Sequence, residues 1–144
     1  MLLSACATSR WADEPGKPVT VSQAANVEID DQFLAALTAG RQARGLPEPV
    51  VTPRNQSEIR HFAEDLQAAR ISAPGAQRAI EAWGRATYEG PVESWLVDCT
   101  GGRTPEIPPK LLSEPSAVVS YAAAQFRPNS AAADQCALLV VARR

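Results

Sequence analysis

The sequence predicts an α+β domain, with helices in the N-terminal half and a small, mainly antiparallel sheet in the C-terminal half. Three observations carry this. Residues 30–87 hold three segments with apolar residues at helical spacing. Residues 116–126 and 135–142 are short, almost wholly apolar runs flanked by turn residues, as buried strands are. Twelve prolines cut the chain into short elements, which excludes one long helix or coiled coil.

The composition is that of a globular protein, with 45% hydrophobic and 21% charged residues among 144. One domain with a tail fits this length. A net charge of −2 and the lack of a basic run argue against nucleic acid as a partner. No stretch approaches the roughly 20 apolar residues of a membrane-spanning helix.

Leu3-Ser4-Ala5-Cys6 has the form of a bacterial lipoprotein cleavage site: a branched apolar residue, two small residues and a cysteine available for lipid. Only Met1 and Leu2 precede it, short of the basic start and apolar run of a signal peptide. Residues 1–29 are therefore read as a truncated lipoprotein signal and linker, and residues 30–144 as the domain. The expected location is the bacterial cell envelope, lipid-anchored at Cys6 and facing the periplasm or the exterior. Residues 8–27 are polar, with Pro15, Gly16 and Pro18, as a linker is. Trp11 is out of place there.

Residues 30–44 are expected to form the first helix, capped by Asp30 or Asp31. Phe33, Leu34 and Leu37 share its apolar face. Arg41 and Arg44 complement the helix dipole, and Gly45 offers a left-handed stop. Residues 52–70 form the second helix, started by Thr52 before Pro53 or by Asn55 with Glu58 three residues on. Ile59, Phe62, Ala63 and Leu66 form one buried stripe. The third helix spans residues 74–87, with Ala76, Ile80 and Trp83 inward. Gly90-Pro91 breaks the chain. Residues 92–99 stay open between helix, through Val92, Trp95 and Leu96, and strand, through the alternation of Trp95, Val97 and Cys99.

If Cys6 carries lipid, Cys99 and Cys136 remain as an even pair. An exported protein would join them in a disulfide, tying the loop at Gly101-Gly102 to the sheet. The alternative is two buried free thiols, which pack as small apolar groups.

Catalytic patterns are sparse. His61 is the single histidine, so no two-histidine metal site can be built, and Cys99 and Cys136 lack zinc-ligand spacing. No nucleophile elbow occurs, and Gly101-Gly102-Arg103-Thr104 lacks the lysine and spacing of a phosphate loop. Glu64 and Asp65 are adjacent on a helix and point about 100° apart, which fits a solvated face. Glu89, Glu93 and Asp98, near Trp95, form a carboxylate group of the type that does acid–base work. No metal or other cofactor and no catalytic residue is assigned from sequence. The low-ranking pocket candidates are His61, Glu89, Glu93, Trp95 and Asp98.

Several of these segments together resemble the CAP superfamily of cysteine-rich secretory, antigen and pathogenesis-related proteins, in its short bacterial form. Phe33-Leu-Ala-Ala-Leu-Thr-Ala-Gly-Arg41 followed by Arg44-Gly-Leu-Pro47 resembles the family's first helix, with Thr38 where the family has asparagine. Ile59-Arg-His-Phe-Ala-Glu-Asp-Leu66 is similar to its second helix, with Phe62 at the family's histidine position. Pro91-Val-Glu-Ser-Trp95 resembles its tryptophan segment, and Ala79-Ile-Glu-Ala-Trp83 fits as well. Leu111-Leu-Ser-Glu-Pro115 and Val118-Val-Ser-Tyr-Ala122 resemble its turn and following strand. The resemblance implies an α–β–α sandwich. It also implies a domain stripped of the family's metal-binding histidines: a non-catalytic envelope binding or structural module for a lipid, glycan or envelope protein. The alternative is an envelope hydrolase using Glu89, Glu93 and Asp98.

Overall fold

A computed structural model describes residues 11–129, 131 and 133–144; the Cys6 expectation lies outside them. The elements are α1 (Gln23–Ala43), α2 (Pro53–Gln67), α3 (Ala73–Thr87), β1 (Val92–Asp98), β2 (Val118–Phe126) and β3 (Gln135–Arg143), with short 3-10 turns at Thr100–Gly102 and Pro109–Leu112. Three helices precede a three-stranded antiparallel sheet of order β1-β3-β2, as the α+β expectation requires.

The sheet is covered on both faces. Phe33 and Leu37 of α1 pack on one face, against Val119, Tyr121, Leu138 and Val140. Ile59, Ala63 and Leu66 of α2 and Ala76 and Ile80 of α3 pack on the other, against Ala122, Phe126, Leu139 and Val141. The result is an α–β–α sandwich. Central β3 needs apolar side chains in both directions, which is why residues 136–142 form an unbroken apolar run. Full burial of one such leucine or valine is worth about 1.5–3 kcal/mol.

The alternation of residues 92–99 resolves as strand. Trp95 and Val97 turn toward the α1 face, and Val92 and Leu96 toward the α2/α3 face. A helix would have used one face only; a strand between two helical layers needs both. Close contact of α3 with the sheet depends on Gly84, where an added Cβ would lie 2.8 Å from Val92 Cγ1 and 2.9 Å from Val141 Cγ1.

Several sequence expectations need correction. α1 begins seven residues before Asp30, so the 29/30 domain boundary falls inside a helix. Its cap is Ser22, whose Oγ accepts the Ala25 N–H at 3.3 Å. Asp30 instead lies inside the helix and faces inward, because the buried row of α1 is Asn26, Asp30, Phe33, Leu37 and Arg41. The stretch read as linker is laid on the domain in its described part. Trp11 packs edge-on against Phe126, the Lys17 N–H donates to the Arg127 C=O, and the Val19 N–H donates to the Gln67 C=O. Phe62 is only half-buried, against Trp83, since it sits off the Ile59–Ala63–Leu66 row. The left-handed stop at Gly45 is present, with φ of +70°.

Arg41 also departs from its expected role at the helix end. Its side chain is fully buried. The guanidinium donates to the carbonyls of Pro47 (2.7 Å), Leu111 (2.6 Å), Glu114 (3.1 Å) and Pro115 (3.4 Å). Burial lowers its pKa from the ordinary arginine value. One side chain thus fastens both the connector after α1 and the turn before β2 to the helix.

Candidate functional site

β1 is where the sequence-derived candidates meet. Glu93, Trp95 and Asp98 lie on it and Cys99 follows it at once. Cys99 and Cys136 form a disulfide across 37 residues, with Cα atoms 4.9 Å apart. Both cysteines are buried. The bridge closes the end of the sheet and fixes the loop after β1. Thr100 adds to this closure, its Oγ1 accepting the Cys136 N–H at 3.0 Å.

The three carboxylates are not gathered. Strand alternation puts Glu93 on the face of Trp95 and Asp98 on the opposite one. Glu93 pairs with Lys110 and lies 3.6 Å from Arg144. Asp98 accepts the Thr100 N–H at 3.0 Å and lies 3.5 Å from Arg103. Glu89 is exposed beyond the end of α3. Glu93 and Asp98 are thus each held in an ion pair, on opposite faces of the strand. His61 is exposed on α2. Among the described residues, no group of three or more His, Cys, Asp or Glu is placed to hold a metal ion. Also among them, no helix is long and apolar enough to cross a membrane.

The polar chemistry that sequence reasoning missed lies along the outer edge of β2. An edge strand carries a row of unpaired backbone groups. Here Val50 takes the first of them, its N–H donating to the Ala117 C=O and its C=O accepting from the Val119 N–H. The Gln56 amide then acts like a strand residue: Oε1 accepts the Tyr121 N–H at 2.8 Å and Nε2 donates to the Tyr121 C=O at 3.2 Å. Asp30 Oδ1 accepts the Ala123 N–H at 2.8 Å, and Arg60 donates to the Ala123 C=O at 2.9 Å. Gln67 accepts the Gln125 N–H and the Asn26 side chain. Gln56, Arg60 and Gln67 fall on one flank of α2, beside its apolar row. That spacing was present in the sequence, but polar residues beside a stripe ordinarily read as solvated.

Asp30 is the group with the most perturbed chemistry in this seam. Burial raises its pKa from 3.8 to about 6, opposed by the paired Arg60 guanidinium and the Ala123 N–H. Burial, and then Asp30 and Asp31, raise Tyr121 to about 12. The folded pKa of Asp30 lies above its unfolded one, so the fold binds this proton more tightly than the unfolded chain does. Its stabilisation is complete below about pH 4 and is lost as pH rises through about 6. Denaturation midpoints measured from pH 4 to 7 should contain this falling component, of order 3 kcal/mol, and Asp30→Asn should remove it. An unchanged pH profile in the Asp30→Asn protein would contradict the assignment.

No protein-family model, curated protein or solved structure matches the chain.

Proposed function

We propose that the chain is a non-catalytic binding or structural module of the bacterial cell envelope, CAP-like in fold and tethered to the membrane by lipid on Cys6. It faces the periplasm or the exterior and binds an envelope lipid, glycan or protein. The observation that carries this reading is the Cys99–Cys136 bridge. Disulfides persist in oxidising compartments and are rare in a reducing cytosol. The layering of α1 on one face and α2 and α3 on the other supports the CAP resemblance. The ion pairing of Glu93 and Asp98 supports a role without acid–base chemistry.

The deciding experiment is intact mass, without reductant, of the protein expressed in bacterial cells from its own gene. A diacylglyceryl group on Cys6 and the loss of two hydrogens are expected in the membrane fraction. A plain reduced mass in the cytosolic fraction would overturn both the anchor and the compartment.

A further inference from the structure

Residues 11–21 belong to no helix or strand, yet they are laid across the domain as a strap. The groove beneath lies between the α2–α3 corner and the end of β2, and Leu66, Ile71, Ala73 and Phe126 make its floor apolar. Trp11 packs on this floor, edge-on to Phe126 with ring centroids 5.5 Å apart. Farther along, the strap pairs antiparallel with the backbone just past β2: the Lys17 N–H donates to the Arg127 C=O at 2.8 Å. Asn129 Nδ2 donates to the Pro15 C=O at 2.8 Å. Gly16 permits this approach, since a Cβ there would stand 1.8 Å from the Arg127 oxygen. An aromatic anchor, a backbone pairing beside a sheet and a filter on residue size are the parts of a groove that recognises a peptide by strand addition. Here the chain supplies the peptide itself.

We infer that residues 11–21 are a clasp: they occupy a peptide-binding groove in cis and leave it as a unit while the rest of the domain stays folded. The groove takes a short segment with an aromatic residue five positions before a glycine, the spacing of Trp11 and Gly16. Three features make the strap separable. None of its residues is buried, whereas Leu66, Ala73 and Phe126 beneath it are 2%, 2% and 4% exposed. A cavity of about 10 Å³ remains between strap and floor, room for one water where an interior would have contact. Finally, α1 is capped by Ser22, so its first turn does not need the strap. The role of the clasp rests on the reading of a lipid anchor at Cys6. Docked, the strap keeps the tether short; released, it lengthens the tether by up to about 3.5 Å for each residue freed.

Amide hydrogen exchange on the oxidised chain without lipid, and titration with a peptide copying residues 11–19, test the clasp together. The Lys17 and Val19 amides donate to Arg127 and Gln67. They should exchange roughly a hundredfold slower than free amides, through an opening far cheaper than that of Leu139 and Val141 in the central strand. Gly16→Val drives a side chain into the Arg127 carbonyl. It should free both strap amides and leave those of β3 unchanged. The peptide should bind this variant, shifting the Ala73 and Phe126 resonances. It should bind the wild type weaker by the same hundredfold, roughly, because the linked strap competes for the groove. The same peptide carrying Gly16→Val should not bind. Strap amides as slow as those of β3 overturn the inference, as do strap amides with no protection, a Gly16→Val protein that loses its fold, or a peptide that fails to bind that variant. None of these measurements involves lipid, so their failure leaves the anchor to its own mass measurement. A Cys6 found without lipid would leave the clasp standing and remove its tethering role.

Discussion

Replacing Arg41 with methionine should lower folding stability by about 3–5 kcal/mol, because four carbonyl acceptors lose a charged donor. The volume is nearly kept, so the loss is not a cavity effect. It comes from the carbonyls of Pro47, Leu111, Glu114 and Pro115, which lose their donor inside a packed region. Each such orphaned acceptor costs about 1–3 kcal/mol, reduced where a water can enter. Arg41→Lys should recover only part of the loss, because an ammonium cannot present the planar fork that spans two segments. Chemical denaturation of the three proteins checks this. A loss below about 1 kcal/mol in Arg41→Met would show that the carbonyls find other donors and that the guanidinium is dispensable.

Removing the Cys99–Cys136 bridge, by reduction or by the double replacement with alanine, should cost about 4 kcal/mol. The loop it closes spans 37 residues, and that is the loss of unfolded-state restriction expected for a loop of this length. The loop contains β2 and the turn fastened by Arg41, so the bridge joins the ends of the segment and the arginine fastens its interior. Double replacement in the Arg41→Met background should therefore remove most of the folding stability typical of one domain. Denaturation midpoints with and without reductant measure the first effect directly. If they coincide, the sheet end is already fixed by the Thr100 and Asp98 contacts alone.

Element type and order were legible for α2, α3, β2 and β3, whose buried faces are apolar, while residues 92–99 stayed open between helix and strand. Ile59, Ala63 and Leu66 gave α2 its period, and residues 136–142 declared a strand buried on both sides. The start of α1 was not legible for a specific reason. Its inward row is as regular as that of α2, but Asn26, Asp30 and Arg41 occupy three of its five positions. A search for apolar spacing sees only Phe33 and Leu37 there and starts the helix late. The same blindness hid the β2 seam, where Gln56, Arg60 and Gln67 stand beside backbone groups that only the assembled sheet brings to them.

Of the candidate site, the cysteine pair was legible only as a conditional expectation, a bond if the chain is exported or two buried thiols if not, and the structure joins the two cysteines. The carboxylates were not, because nearness along a chain says nothing about face. Glu93 and Asp98 are five residues apart, and strand geometry sends them to opposite sides.

By itself, then, the sequence determined the composition class, the helices-then-strands order and the buried-strand character of residues 135–142. Each follows from local spacing or from a count. Tertiary structure alone decided that Arg41 and Asp30 are interior and that the β2 edge is sealed. Those outcomes depend on which backbone groups remain unpaired after the layers meet, and a polar side chain is buried only where such a group is waiting for it.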